Sequence, residues 1–161
     1  MTQVQTPIRI GIIPEDRQKI AAELSHLLAD TYTLFLKSHN FHRNVTGPMF
    51  MSLHNLFEEQ YTELAEAVDA IAERIRILGE KAPGTFREFL ALTSLNTDDG
   101  TDLSSNQMVE SLMQGHEQVV RTAKKVLSAL EGANDEGTAS LVGTRIETHE
   151  KAAWMLRSLL G

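Results

Sequence analysis

The chain contains no cysteine among its 161 residues. Disulfide frameworks, thiolate metal sites, iron–sulfur clusters and cysteine nucleophiles are therefore excluded together. Proline and glycine are few, and no apolar run reaches the roughly 20 residues that a membrane span needs. Residues 1–13 lack the basic start and apolar core of a signal peptide, so we expect a cytoplasmic protein with no membrane association.

Positive charge is also scarce in this chain. Lysine and arginine number 15 against 22 acidic residues, which gives a net charge of −7 without any basic block. Such a surface attracts cations and repels nucleic acid. Because Arg9 is the single basic side chain in residues 1–13, we expect no strong DNA binding without a bridging cation.

Apolar residues recur at helical spacing over most of the chain, which predicts four long helices and no strand. A proline followed by two acids is typical of a helix start, as is the capping-box pattern formed by Ser104 and Gln107. Gly79 is placed to end the second helix. The four helices are expected to begin near Pro14, Met49, Ser104, and Asn134 or Asp135.

The lengths of the connections predict the topology. Short turns join the first helix to the second and the third to the fourth, so each pair is antiparallel. About 25 residues separate the second helix from the third, and Phe86, Phe89 and Leu90 indicate a short helix inside that crossover. This is the all-α, ferritin-like four-helix bundle with one long crossover. We expect a tail over 1–13 and a bundle over 14–161.

Four potential metal ligands share one face of the second helix. At about 100° per residue, Glu58, Asp69 and Glu73 lie roughly 40°, 60° and 100° from His54. However, His54 and Asp69 are about 22 Å apart along the axis, because each residue advances the helix by about 1.5 Å. One ion cannot bridge that distance. An antiparallel copy of the helix would bring the two halves together and create two identical sites.

His42 adds an imidazole to this set. It lies at the end of the first helix, and the short turn brings it close to His54 on the second. Two imidazoles with two or three carboxylates suit Fe(II), a cation that accepts both nitrogen and oxygen donors. Zinc would also bind and compete, whereas magnesium and calcium prefer oxygen alone.

The sequence around these residues closely resembles the Dps family, the mini-ferritins. The resemblance covers about residues 14–160. It is carried by the segments 42–50 (HRNVTGPMF), 53–58 (LHNLFE), 69–75 (DAIAERI) and 146–157 (IETHEKAAWMLR).

The resemblance implies a four-helix subunit in a hollow homo-dodecamer with two-fold and three-fold interfaces. It implies a ferroxidase centre with two iron positions at each two-fold, built from His42, His54 and Glu58 of one subunit and Asp69 and Glu73 of the other. Hydrogen peroxide would be the preferred oxidant, and the Fe(III) mineral would be stored inside. Consuming Fe(II) and peroxide together would protect against oxidative damage.

Two positions bear on the comparison with the family, one because it departs from the usual residue and one because its role has two explanations. The family usually has tryptophan after the first ligand histidine, and this chain has Arg43, which cannot give up an electron and opposes a second Fe(II). Family members line the three-fold iron pores with acids where this chain has Asp135 and Glu136. The alternative role for these two acids is to cap a helix. A second pore acid of the family is Ser140 here.

Three other functions or site types compete with iron oxidation at an interface. A DNA-compacting stress protein with little ferroxidase activity is the main alternative, and it alone would place the chain on the nucleoid. A purely structural helical dimer would pair Asp69 and Glu73 with Arg74 and Arg76. A di-iron site inside the bundle needs Glu-x-x-His on two helices, and this chain has one match, Glu23–His26.

Several other polar residues have less specific patterns. Glu63 and Glu66 are candidates for mineral nucleation, and the plain alternative is that each is a solvated or interface acid. We expect His116 and His149 to be structural, and His39 to be a surface or interface residue.

Overall fold

The computed structural model describes residues 6–161, and over these residues the chain is helical with no strand. Four long helices and one short helix follow one another as α1 Pro14–Asn44, α2 Phe50–Ile77, α3 Phe86–Leu92, α4 Ser105–Ala129 and α5 Glu136–Ser158. The short helix lies in the long connection between α2 and α4. The all-α, ferritin-like prediction is thus confirmed, while the division of the chain at residue 14 stays a prediction.

The helix ends follow the local signals in the sequence. Pro14 opens α1, and Ser104 caps α4 through a complete capping box with Gln107. Gly79 follows the end of α2 with a φ of 99°, in the left-handed region where glycine has no side chain to clash. Asp135 caps α5 by accepting the Thr138 backbone N–H.

The core lies between the four long helices. α1 packs against both α2 and α4, and α4 packs against α5. The largest fully buried side chains are aliphatic except for Phe57; they include Leu24, Leu28, Leu64, Ile71, Leu112 and Leu156. Burying this apolar surface supplies the main driving force for folding. Within the described part of the chain, no helix is long and apolar enough to cross a membrane.

A buried carboxylate attaches the crossover to the bundle. Asp30 of α1 is fully buried and accepts hydrogen bonds from the Thr93 hydroxyl (2.8 Å), the Ser94 backbone N–H (2.5 Å) and the Thr122 hydroxyl (2.6 Å). One side chain therefore joins α1, the end of α3 and α4. The contact fixes α3 on the outside of the bundle.

Candidate metal centre

Three of the predicted ligands meet within one subunit. His42 lies in the last turn of α1, and the tight connection to α2 brings it beside His54. Glu58 follows one helical turn after His54. Ligand atoms of His42, His54 and Glu58 all lie within 4.8 Å of one another. This arrangement offers one ion two imidazole nitrogens and a carboxylate oxygen.

The two imidazoles orient each other through the backbone. His42 Nδ1 lies 2.8 Å from the backbone oxygen of His54, and His54 Nδ1 lies 2.8 Å from the backbone oxygen of His42. A carbonyl oxygen only accepts, so each Nδ1 carries the hydrogen. Each Nε2 is therefore left with its lone pair free for a metal ion. Such support for the ring orients metal-binding histidines and raises their basicity.

Aromatic packing restricts the two rings further. The rings of His42 and His54 are stacked, with centroids 3.8 Å apart and an interplanar angle of 18°. Phe50 stacks on His54 at 5.0 Å, and Tyr61 meets His42 edge-on at 5.2 Å. Both histidines are half-buried. The ligand geometry is therefore preorganised, which suits a borderline divalent cation such as Fe(II).

Asp69 and Glu73 lie on α2 away from this trio in the same subunit, and both are exposed. In the described chain, neither acid has a cationic nitrogen within 4.0 Å. The arginines that the structural-dimer alternative offered are engaged elsewhere in the subunit: Arg74 pairs with Asp135, and Arg76 donates to the Glu80 backbone oxygen. That Asp69 and Glu73 approach the His42–His54–Glu58 trio of a second copy stays a prediction.

Arg43 is exposed and contacts a histidine, not a carboxylate. Its guanidinium donates to His39 Nε2 at 2.7 Å, and no acidic group lies within 4.0 Å of it among residues 6–161. Partial burial, followed by the positive charge of Arg43, lowers the pKa of His39. In the part of the chain that the structure describes, the positive charge next to His42 is therefore not neutralised by a carboxylate.

Asp135 and Glu136 differ sharply in their surroundings. Asp135 is 5% exposed and accepts hydrogen bonds from the Thr138 backbone N–H (2.9 Å), the Thr138 hydroxyl (2.6 Å) and Arg74 (2.5 Å). Glu136 is exposed. The capping role of Asp135 is confirmed, and a pore role for either acid stays a prediction.

Sequence reasoning missed a buried polar chain between α2, α4 and α5. Arg145 donates to both carboxylate oxygens of Glu63 and, at 3.0 Å, to His149 Nε2. His149 Nδ1 lies 2.8 Å from His116 Nδ1, and His116 Nε2 lies 3.3 Å from Gln60 Oε1. The available signal was the four-residue spacing of Arg145 and His149, which places both on one face of α5.

The hydrogen-bond partners determine which ring nitrogen carries the hydrogen in His149 and in His116. Arginine only donates, so His149 Nε2 accepts and the hydrogen of that ring is on Nδ1. That N–H donates to His116 Nδ1, which leaves the His116 hydrogen on Nε2 to donate to Gln60. Both histidines are neutral, because burial lowers the pKa of His116 to about 3 and that of His149 well below its usual value. Arg145 adds to both effects.

An acidic groove runs along α2 and connects the two polar clusters. It is lined by Asn55, Glu58, Glu59, Thr62, Glu63 and Glu66. Glu58 contributes to the ligand trio, and Glu63 contacts Arg145 while its side chain remains 40% exposed. One carboxylate of each cluster therefore lies on the same acidic surface.

Comparisons of the sequence with known proteins agree on one family. A model of the ferritin-like domain matches residues 21–161. The chain is 38% identical over 143 residues to DNA protection during starvation protein 2 of Bacillus anthracis, covering 89% of this chain and 97% of that protein. It is 42% identical over 154 residues to a low temperature-induced protein of Nostoc, covering 95% and 86%.

Solved structures agree with the sequence comparison. A Dps protein from Vibrio cholerae, described as a member of a broad superfamily of ferritin-like diiron-carboxylate proteins, matches with a TM-score of 0.90 at 28% identity. The match covers 98% of this chain and 99% of that chain. A Dps protein from Bacillus brevis matches with a TM-score of 0.86 at 33% identity, covering 91% and 98%.

Proposed function

Because the chain belongs to the Dps family of ferritin-like, iron-storing proteins, we propose that it oxidises Fe(II) at sites shared between two subunits. The oxidised iron would be stored as a mineral inside a hollow dodecamer in the cytoplasm. The observation that carries this proposal is the reciprocal contact of His42 and His54, which presents two Nε2 lone pairs beside Glu58. A purely structural histidine pair has no need of that arrangement.

The ligands account for the chemistry. Fe(II) is the substrate, bound by His42, His54 and Glu58 of one subunit with Asp69 and Glu73 of a second copy. Carboxylates stabilise Fe(III) more than Fe(II), so binding makes oxidation more favourable. Hydrogen peroxide takes one electron from each of two Fe(II) ions and, with two protons, becomes two molecules of water. Zinc would compete for the same donors.

The acidic surfaces provide a route before and after oxidation. Glu136 is the exposed acid at the start of α5 and is our candidate for attracting Fe(II) at a three-fold pore. Asp135 is satisfied by Arg74 and Thr138, so it would act there mainly by shaping the helix start. For mineral nucleation we propose Glu66 over Glu63, since Arg145 neutralises Glu63.

DNA compaction is not supported by the charge of this chain. The net charge is −7, and among the described residues the ion pairs already engage Lys37, Arg74 and Arg145. Phosphate binding depends on releasing counterions to basic side chains. We expect no retardation of DNA at micromolar protein in low salt without divalent metal, and a shift under those conditions would favour the alternative function.

A subunit-mixing experiment tests the shared site directly. The variants His54→Ala and Asp69→Asn/Glu73→Gln each damage a different half of every site, so each assembly alone should lose most Fe(II) oxidation by peroxide. If the two are dissociated, mixed in equal amounts and reassembled, half of the dimers contain one copy of each. One of the two sites in such a dimer is intact, so about one quarter of the wild-type activity should return.

The control for mixing is each variant dissociated and reassembled with itself. Both should stay inactive, with mass and helix content equal to those of the wild type. Mixed assemblies of normal mass that recover no activity would contradict the shared site.

A further inference from the structure

The hydrogen-bond network that runs from Glu63 through Arg145, His149 and His116 to Gln60 lies between the helices of the bundle. Four-helix proteins commonly hold metal ions in this position, between facing helices. Glu63 comes from α2, His116 from α4, and Arg145 and His149 from α5. The proposed iron site lies elsewhere, at the junction of α1 and α2. The interior chain is therefore a polar cluster that iron oxidation does not use.

The atoms around Arg145 are those that a divalent cation would choose. Both carboxylate oxygens of Glu63 and Nε2 of His149 are directed at the guanidinium. His149 Nε2 offers a lone pair, because its other nitrogen donates to His116, which in turn donates to Gln60. A metal-binding histidine is oriented in the same way, by a partner that accepts its second N–H.

The fit of Arg145 itself is incomplete. Its side chain is 6% exposed, yet its Nε–H has no hydrogen-bond acceptor among residues 6–161. A buried donor without a partner is uncommon in folded proteins and calls for a reason. The guanidinium provides a permanent positive charge between Glu63 and His149, and it does so without satisfying all of its own donors.

The mouth of this cluster opens on the route that iron would follow. Glu63 is partly exposed in the acidic groove of α2, which Glu58 of the ligand trio also lines. An Fe(II) ion in that groove therefore meets two sets of nitrogen and oxygen donors. The choice between them depends on the charge already present at each.

We propose that Arg145 is a built-in cation that occupies a metal position inside the bundle and directs divalent metal to the His42–His54–Glu58 site. It is a specificity-determining residue that acts by occupation and by repulsion of like charge. Without it, Glu63 and His149 form a second site for a borderline divalent cation, completed by water. The inference rests on the proposed function in one respect: the advantage of excluding metal from the interior is that iron stays at the subunit interface.

Cobalt binding tests the inference without any oxidation step. Assembled wild-type protein and the variants Arg145→Met, Arg145→Lys and Arg145→Met/Glu63→Gln are dialysed against Co²⁺, and bound ions are counted per chain. Arg145→Met keeps most of the buried volume and should bind one ion more than the wild type, with new visible absorption from imidazole-bound Co²⁺. Arg145→Lys keeps the charge, and the double variant loses the carboxylate, so neither should gain an ion.

Two results would overturn the proposal. One is a folded Arg145→Met protein, judged by circular dichroism, that binds no extra Co²⁺. The other is independent of any change at Arg145: His149→Gln in the otherwise native chain should bind as many ions as the wild type, and the loss of one would show that the interior already holds metal. His54→Ala identifies the interface ions. If that variant loses no Co²⁺ while Arg145→Met still gains an ion, the proposed function and the direction of metal to that site fail, and the occupation of an interior metal position by Arg145 stands.

Discussion

At the scale of single residues, the candidate centre depends on which nitrogen of each histidine carries the proton. The backbone oxygens of residues 42 and 54 each accept from the opposite imidazole, so in both neutral rings Nε2 is the nitrogen left to bind a metal ion. The same logic assigns His116 and His149, where the partners are side chains.

Arg43 should weaken the second iron position by charge. Its guanidinium is next to His42 and has no acidic partner among the described residues. We expect Arg43→Gln to tighten the weaker Fe(II) position roughly five-fold at low salt, which corresponds to about 1 kcal/mol. Anaerobic Fe(II) binding isotherms measure this change, and at 0.5 M salt the gain should shrink because the charge is screened.

Arg43→Trp separates charge from electron donation. Both variants remove the cation, but only tryptophan can also supply an electron. At equal iron loading, a faster Fe(II) oxidation in Arg43→Trp than in Arg43→Gln would assign the difference to the ring. If neither variant gains rate or occupancy over the wild type, Arg43 does not modulate the site.

The buried histidines should make the protein sensitive to acid. Burial lowers the folded-state pKa of His116 to about 3, whereas the unfolded chain protonates it near 6.5. Below pH 6.5 the unfolded state binds the extra proton, so the free energy of unfolding falls as pH falls. Between pH 6.5 and 5 the loss is about 1.5 kcal/mol from His116, and His149 adds to it in the same direction.

Urea unfolding at pH 7, 6 and 5 measures this dependence. His116→Gln should flatten the curve in part over that range, because one of the two buried titrating groups is gone while His149 remains. His39→Gln alters a half-buried histidine and serves as the comparison; its pKa is lowered in the same direction, but it is not buried like His116, so this variant should flatten the curve less than His116→Gln. Equal slopes for wild type and His116→Gln would show that another group is responsible.

At the scale of helices, the start of α5 depends on Asp135. Its carboxylate caps the helix and accepts from Arg74 of α2, so its removal loses the cap and leaves Arg74, which still donates to the Thr138 hydroxyl, without its carboxylate partner. We expect Asp135→Ala to lower the free energy of unfolding by about 2–3 kcal/mol. Glu136→Ala, one residue later and exposed, should change stability by less than about 0.5 kcal/mol. Chemical denaturation of both variants checks the contrast.

Helix positions were predictable because their signals are local. Apolar spacing, the Ser104 capping box and Gly79 each act within a few residues, and the structure places helix ends there. The trio of ligands followed from a short turn between two helices. The Arg145 chain was not predictable, because it depends on which faces of α2, α4 and α5 meet. Sequence spacing alone offers Glu63 as a mineral-nucleating acid or as a solvated or interface acid, and it gives this side chain no partner.

At the scale of the whole molecule, the subunit leaves large apolar side chains on its surface. Phe86 and Leu90 on α3 are 70% and 62% exposed, and Trp154 on α5 is 61% exposed. Exposed apolar side chains that lie together, as Phe86 and Leu90 do on α3, are typical of protein interfaces. Because Asp30 attaches the end of α3 to the bundle, the apolar face of α3 is held in place, and we expect it to contact a second copy of the chain.

Assembly and oxidation should therefore be lost together. In Phe86→Glu/Leu90→Glu, two carboxylates would be buried at the contact without partners, so the assembly should dissociate toward single chains of 17.9 kDa. Those chains keep His42, His54 and Glu58 but have no second copy to supply Asp69 and Glu73, so peroxide-driven Fe(II) oxidation should fall to the background rate. Light scattering and iron absorbance on the same sample measure both properties. Arg87→Gln, an exposed polar change on the same helix, should keep both mass and activity. A single chain that still oxidises Fe(II) at the wild-type rate would show that one subunit suffices.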